Sequence, residues 1–174
     1  HRRAAEWLIQ AGGSRVDEYA DQIAAHFALA EDERAEAQWQ ARAGRGAAAR
    51  HAAPEAIRAL SRALELIAGD DPERYELLNL RRQTYDLLGD RAPEAADLAE
   101  MERLAVMSGN LKRQAEVAAE HTRSCLVTGA YERAVSLSMQ SEKLAKEADD
   151  ITLQARSLSY RGNAAMFLGE YDDA

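Results

Sequence analysis

A six-residue stretch, Gly-Ala-Tyr-Glu-Arg-Ala at 129–134, has counterparts about forty residues away in both directions along the chain. Upstream, Gly89-Asp90 is followed by Pro-Glu-Ala at 93–95, with one residue more between the glycine and the final alanine than in 129–134. Downstream, Gly-Glu-Tyr-Asp-Asp-Ala occupies 169–174. Each stretch follows one apolar segment of helical periodicity and opens another. Glycine tolerates the left-handed backbone that ends a helix, and a small alanine lets the next helix pack closely. Three such turns at one spacing predict a repeat of helix-turn-helix units.

The composition favours helix along nearly the whole chain. Alanine, leucine, glutamate and arginine dominate its 174 residues, with only three prolines and ten glycines. These are strong helix formers, and no segment shows the alternating pattern of a strand. Because 47% of the residues are hydrophobic and 30% charged, a folded core is expected rather than disorder. The sequence therefore predicts an all-α protein.

Apolar periodicity and end signals place the individual helices. Ser14 and Asp17 are candidate N-caps of the second helix, and Asp71, Asn110 and the pair 149–150 are candidate caps later in the chain. Trp39 is the only large apolar anchor of an alanine-rich third helix, where Gly44 and Gly46 would allow close packing at a cost in helix stability. The predicted helices are 2–10, 14 or 17 to 30, 33–50, 54–67, 73–88, 93–108, 111–128, 131–148 and 151–168, with a tenth starting at the end of the chain.

Charge and cysteine content exclude several classes of function. The formal net charge of −8 and a pI near 5.1 argue against a nucleic-acid surface, which needs clustered lysine and arginine. The single cysteine, Cys125, cannot form an internal disulfide, which favours the cytoplasm. No apolar run approaches the roughly 18–20 residues that span a membrane. The chain begins at His1 without methionine and ends at Ala174 inside a predicted helix, so we expect a piece of a longer protein.

No catalytic, metal or cofactor site is predicted. The histidines at 1, 26, 51 and 121 fall in different units and lack the spacing of a zinc-binding helix. Cys125 is interpreted as a buried, inert thiol, and the acid pairs 149–150 and 172–173 as helix caps. The Arg2-Arg3 and Arg81-Arg82 pairs are interpreted as solvated helix faces. No phosphate loop or nucleophile motif is present, so an enzyme is not expected.

The end of the chain resembles the tetratricopeptide repeat (TPR). In the segment 160–174, Gly162 matches the first-helix glycine of that family, Gly169 the turn, Tyr171 the turn aromatic and Ala174 the second-helix alanine. The corresponding alanines at 56, 95, 134 and 174 lie 39 to 40 residues apart, against about 34 in the ordinary repeat. The second unit departs from the pattern, since Arg82 replaces its first-helix glycine. The resemblance implies a right-handed α-α superhelix of antiparallel helix pairs.

Units of this length resemble the C-terminal helical regions of bacterial signal-transducing ATPases. These include transcriptional activators and proteins that join a class III adenylate cyclase to an ATPase. The stretches that carry this resemblance are 1–8, 17–20 and 23–27. It implies an N-terminal helical hairpin at 1–30, repeats at 31–70, 71–109 and 110–150, and a truncated fourth repeat at 151–174.

The resemblance also implies that the first helix of each repeat lines a concave groove. Ala41 and Asn79 fall where some relatives carry a basic residue that clamps a terminal carboxylate, so a chaperone-tail receptor is not expected. The implied groove residues are Gln38, Arg45, Glu76, Asn79, Gln83, Asp86, Glu116, Arg123, Leu126, Arg156, Asn163 and Met166, with Ala41, Ala119 and Ser159 between them.

Two functions remain open from the sequence. One is a noncatalytic interaction and sensor module that binds a partner protein, peptide or ligand and acts on other domains of a parent protein. The other is a scaffold for oligomerisation of that parent. In either case the apolar side of the last helix, with Leu158, Ala165 and Leu168, would lack cover, so we expect fraying after Gly169 or a contact with another molecule there.

Overall fold

The computed structural model describes residues 1–169, and within them the chain forms nine α-helices, one 3₁₀ segment and no strand. The prediction of an all-α fold is therefore confirmed. The helices are α1 (Arg2–Gly12), α2 (Ala20–Ala28), α3 (Glu33–Ala49), α4 (Ala53–Leu66), α5 (Pro72–Leu88), α6 (Arg91–Met107), α7 (Leu111–Thr128), α8 (Tyr131–Glu147) and α9 (Ile151–Leu168), with the 3₁₀ segment at Gly13–Tyr19.

Side-chain caps start four of these helices. In each, an aspartate or asparagine oxygen accepts a hydrogen bond from a backbone N–H of the first turn, at 2.8–3.1 Å. Such a bond satisfies one of the N–H groups that have no partner inside the helix. The predicted caps Asp71, Asn110 and Asp150 are confirmed, and the fourth cap is Asp32.

The start of the second helix differs from the sequence prediction. Residues 13–19 form the 3₁₀ segment, α2 begins at Ala20, and neither Ser14 nor Asp17 caps it. The carboxylate of Asp17 instead forms an ion pair with Arg42 of α3, 2.6 Å from its Nη2. Asp17, which the local pattern predicted to be a helix cap, thus pairs instead with an arginine 25 residues away in the chain.

The three turns that define the repeat end their helices in the left-handed conformation. Gly89, Gly129 and Gly169 have φ angles of 72°, 77° and 80°. A side chain is disfavoured at these angles, so glycine is the suitable residue. The helix ends predicted at these glycines are confirmed.

Compact units extend over His1–Asp97 and Leu98–Ala174, and we describe each by itself. In the first, helix packing joins elements that are adjacent in the chain or one apart. One apolar cluster of this unit contains Ala5, Ile23, Phe27 and Trp39, so Trp39 is an anchor of the core, as predicted. Sequential packing of this kind is typical of helical repeats.

Gly44 lies where α3 packs closely against α4. A Cβ at this position would lie 2.7 Å from two side-chain carbons of Leu60, which is fully buried. At Gly46 a Cβ would meet only the Nη1 of Arg50, at 3.2 Å. The predicted role in close packing is thus confirmed for Gly44 and is wrong for Gly46.

Charged pairs between helices are buried in this unit. Arg81 of α5 binds Asp97 of α6 through two hydrogen bonds, of 2.5 and 2.9 Å, and also donates to Ser61 of α4 at 2.8 Å. The next residue, Arg82, is 3% exposed and lies 3.7 Å from Glu94. The interpretation of the Arg81-Arg82 pair as a solvated face is therefore wrong. These arginines face α6 and pair with its carboxylates.

Buried hydroxyl groups connect the helices of residues 98–169. Ser141 of α8 donates to the carbonyl oxygen of Ala115 in α7 at 2.8 Å, and Ser157 of α9 lies 2.8 Å from the Ser141 hydroxyl. Both serines are fully buried, next to a small apolar cluster that includes Ala145 and Leu153. Hydrogen bonds thus supplement an apolar contact made largely of alanine.

Candidate functional site

The first helices of residues 1–97 expose a mainly polar surface, which we call the α3–α5 surface: Gln38, Arg45, Glu73, Glu76, Asn79, Gln83 and Asp86. Each of these side chains is exposed or half-exposed. Ala41, which the resemblance placed among them, is 1% exposed and belongs to the core. Its small side chain packs inward because it lies on the face of α3 that includes Ala37 and Gly44.

The charges of the α3–α5 surface are predominantly negative. Arg45 forms an ion pair with Glu73 across the two helices at 2.5 Å, and Asp86 pairs with Arg91 at 2.6 Å. Asn79 accepts a hydrogen bond from Gln83 at 3.4 Å. Glu73 is not among the predicted groove residues, because its position in the first turn of α5 indicates only the start of a helix. With three carboxylates against Arg45 and Arg91, this surface keeps an excess of negative charge, which favours positively charged groups.

The first helices of residues 98–169 form a second surface, the α7–α9 surface: Glu116, Glu120, Arg123, Leu126, Arg156, Asn163 and Met166. These residues are exposed or half-exposed, whereas Ala119 is fully buried and does not contribute. Glu120 was not predicted. It lies 3.0 Å from Arg123 on its own helix and 3.4 Å from Arg156 on the next, so one carboxylate holds two guanidinium groups.

Apolar side chains lie towards the ends of α7 and α9. Met166 is 53% exposed and Leu126 half-buried, and the ring of Phe167, 66% exposed, stacks on Tyr131 with centroids 4.7 Å apart. On the side of α9 that was predicted to lack cover, Leu158 is exposed, Leu168 half-buried and Ala165 buried. The predicted fraying after Gly169, and the matches at Tyr171 and Ala174, lie outside the described residues.

The groups considered for chemistry are dispersed. Within residues 1–169, no cluster of three or more histidine, cysteine, aspartate or glutamate side chains could hold a metal ion. His1 stacks on His26, and His121 lies 3.4 Å from Glu102. Cys125 is half-exposed, so its prediction as a buried thiol is wrong. None of the helices in the same residues is long and apolar enough to cross a membrane.

Asp150 joins the start of α9 to the start of α7. Its carboxylate binds the Nζ of Lys112 at 2.9 Å and accepts the N–H of Leu153 at 2.9 Å. Lys112 first, and the Leu153 N–H second, lower the pKa of Asp150 below its ordinary value of 3.8. Both contacts favour the charged form of the side chain.

We expect this carboxylate to make the stability of residues 98–169 depend on pH at the acid end. Because its folded pKa is lowered, its contribution is fully present above the unfolded value of 3.8 and is lost as the pH falls through the lower folded value. Thermal unfolding of the wild type and Asp150→Asn from pH 2 to 7, followed by circular dichroism, measures it. Asparagine is also a good cap, so the variant isolates the charge.

The difference in melting temperature between the wild type and Asp150→Asn should be largest near neutral pH and should shrink at the acid end. Asp149→Asn is the matched control, since it removes the adjacent charge and leaves both contacts of Asp150 in place. A difference for Asp150→Asn that stays constant across the whole pH range would contradict this assignment.

Helix pairs that pack in chain order and expose polar first-helix surfaces define a helical repeat protein. The chain is similar to a crystal structure of nearly identical TPR-like repeats from a putative kinesin light chain of Podosopora anserina. The TM-score is 0.72 at 16% identity, over 98% of this chain and 86% of that one. A point variant of the same repeats gives a TM-score of 0.73 at the same identity and coverage.

These likenesses show that the fold is TPR-like, as predicted. No family model matches the sequence, and the comparison with curated proteins gives no match either.

Proposed function

We propose that the chain is a noncatalytic protein-interaction module whose first-helix surfaces bind a segment of a partner protein. The observation that carries this proposal is that all twelve predicted groove residues are at least partly exposed, while the predicted alanines between them, at 41 and 119, are buried. Each surface thus presents accessible polar side chains from neighbouring helices. TPR-like folds typically serve interaction rather than catalysis, and turnover of any nucleotide by the chain would count against the proposal.

The charges of the two surfaces favour different parts of a partner. On the α3–α5 surface, Glu73 and Asp86 are paired with Arg45 and Arg91, and Glu76 adds a third carboxylate, so the excess of negative charge suits lysine or arginine side chains. On the α7–α9 surface, arginines and carboxylates are already paired with one another, and Leu126 and Met166 add apolar area. Binding to the first surface should weaken with salt, because its charges are exposed and screened.

Selection from a displayed library of random peptides tests this proposal without knowledge of the natural partner. The expected result is enriched peptides that carry basic residues and bind with a Kd of about 10 μM or lower, which corresponds to roughly −7 kcal/mol. The double variant Glu76→Arg, Gln83→Arg reverses the charge of the exposed centre of the α3–α5 surface and should weaken binding at least about tenfold.

Glu147→Arg is the control, because it makes a similar change at an exposed position on α8, a second helix. Its affinity should stay within about twofold of the wild type, since surface changes away from an interface have small effects. Failure to enrich any peptide, or an equal loss of binding in both variants, would contradict the proposal.

A scaffold for oligomerisation is the second candidate, and the exposed Met166 and Phe167 favour it. Exposed apolar side chains that lie together often mark a contact between chains. Sedimentation over a concentration series separates the two candidates. A tight symmetric oligomer that Phe167→Glu dissociates would support the scaffold, whereas a monomer at all concentrations would exclude it.

The proposal extends to the setting in which the module works. The resemblance of residues 1–27 to bacterial signal-transducing ATPases supports a cytoplasmic parent protein in which binding at these surfaces acts on an ATPase or output domain. An ATPase sensor motif encoded immediately upstream of His1 would agree with this setting. A different class of domain there would contradict it and leave the interaction proposal intact.

A further inference from the structure

One face of α9 is apolar and accessible to solvent. Its residues follow one another at steps of four, three and four, so they share a side of the helix, which we call the α9 stripe: Ile151, Ala155, Leu158 and Gly162. Ile151 is 76% exposed and Leu158 44%, while Ala155 is exposed and Gly162 half-exposed. Leu153, on the opposite side of α9, is 5% exposed and belongs to the core.

The equivalent face of α7 is covered by another helix. The side-chain caps of α7 and α9 are forty residues apart, and so are the glycines that end them. Ala115 and Ala118 therefore correspond to Ala155 and Leu158, yet they are only 0% and 5% exposed. Ser141 of α8 donates a hydrogen bond to the carbonyl oxygen of Ala115 at 2.8 Å, so α8 packs on this face. In the described residues the α9 stripe remains exposed and offers another helix the same packing face.

Bulky and small side chains alternate along the α9 stripe. Its spacing is the same in both directions of the helix, whereas the order of sizes is reversed. Against a second copy that runs antiparallel, Leu158 therefore lies opposite Ala155 of the other copy, and Ile151 lies opposite Gly162. Each bulky side chain then fills the space beside a small one, as close packing between helices requires. A parallel arrangement would place every residue opposite itself and leave gaps at the alanine and the glycine.

The charges near the stripe also suit a second copy. The charged residues of α9 are Arg156 and Arg161, and neither belongs to the stripe. Arg156 lies 3.4 Å from Glu120, and Arg161 lies 2.7 Å from Glu142, both within the same chain. Although the chain has a formal net charge of −8, this face brings no excess of one sign to the contact. An uncharged face of this kind matches its own copy better than it matches a highly charged partner.

We propose that two copies of the chain form a two-fold symmetric dimer in which their α9 stripes pack antiparallel. The contact is isologous, because both copies use the same face. A helix of this length offers a strip of about 27 Å by 10 Å, so the contact is smaller than that of stable complexes, which bury about 1,200–2,000 Å². The dimer is therefore weak, with a Kd of about 100 μM. It does not depend on binding at the first-helix surfaces, and it differs from an oligomer held by Phe167, which lies outside the stripe.

Sedimentation equilibrium of the full chain from about 10 μM to 1 mM tests the proposal, since this range spans the expected Kd. Ala155→Leu sets two leucines against each other and Leu158→Ala leaves a gap, so each change should weaken the dimer at least about fivefold. The double variant Ala155→Leu, Leu158→Ala again places one bulky side chain opposite one small one. Its Kd should return to within about twofold of the wild type, because the two changes compensate across the contact.

These variants keep the chain folded, because both positions are exposed and leucine and alanine both favour helix. Ala25→Leu is the matched control, since it adds the same side chain at an exposed position of α2. It should leave the Kd of the dimer unchanged.

Three results would overturn the proposal. A chain that stays monomeric over the whole range would leave the stripe to a helix of another protein. A dimer that Phe167→Glu dissociates and Ala155→Leu leaves intact would place the contact at Phe167. A double variant no tighter than the two single variants would exclude the antiparallel pairing. None of these results bears on peptide binding at the α3–α5 surface, which the selection experiment tests separately.

Discussion

Gly44→Val should destabilise the first unit, residues 1–97, by about 2–3 kcal/mol, because the new side chain meets Leu60 where the backbones of α3 and α4 approach. Even a Cβ would lie 2.7 Å from two carbons of Leu60, and that side chain is fully buried and has little room to move. Valine favours helix over glycine by only a few tenths of a kcal/mol, which does not offset the overlap.

Urea unfolding followed by tryptophan emission measures this loss of stability in residues 1–97. Both tryptophans of the chain, Trp7 and Trp39, lie in residues 1–97, and Trp39 is buried. Gly46→Val is the matched control on the same helix, where a Cβ meets only the flexible end of Arg50. Its stability should remain within about 0.5 kcal/mol of the wild type. Equal losses in the two variants would show that glycine at 44 is not required by the contact with Leu60.

Arg81→Met should destabilise the same unit by about 3 kcal/mol, because it leaves the buried carboxylate of Asp97 without its two strongest hydrogen bonds. Burial is the largest single effect and opposes the charge on Arg81, but the hydrogen bonds to Asp97 and the attraction of nearby negative charge together outweigh it, so the pKa of the arginine is raised above its ordinary value. Arg81 is therefore charged in the folded protein. The same unfolding experiment measures the change.

The double variant Arg81→Met, Asp97→Leu distinguishes loss of an ion pair from loss of packing. When both charges are removed, no uncompensated carboxylate remains, so the double variant should be more stable than Arg81→Met by at least about 1 kcal/mol. Arg15→Met is the control, since Arg15 and Glu18 pair on the exposed surface of the same unit. Arg15→Met should leave the midpoint of urea unfolding unchanged. A double variant less stable than Arg81→Met would contradict the assignment.

Local sequence signals were sufficient for most of the helices. Asp71, Asn110 and Asp150 cap the helices that they were predicted to cap, and α7 and α9 begin and end where periodicity placed them. These features depend on residues within four positions of one another. Three other turns, at Glu31, His51 and Asp149, adopt positive φ without glycine, a backbone conformation that was not predicted there.

The candidate sites were likewise predicted only in part. Exposure of the predicted groove residues followed from a family pattern, but the ion pairs that set their charge did not. Glu120 bridges Arg123 of its own helix and Arg156 of another, and only the packing of α7 against α9 brings these groups together.

The sequence by itself determined the all-α repeat, the positions of its turns and most helix ends, because hydrophobic periodicity, caps and left-handed glycines act over a few residues. Tertiary structure alone decided that Arg82 is buried and Arg81 pairs with Asp97, that Asp17 pairs with Arg42 instead of capping a helix, and that Gly44 but not Gly46 is a contact point. Each of these outcomes depends on which side chain of another helix lies opposite, and that is fixed only when the helices pack.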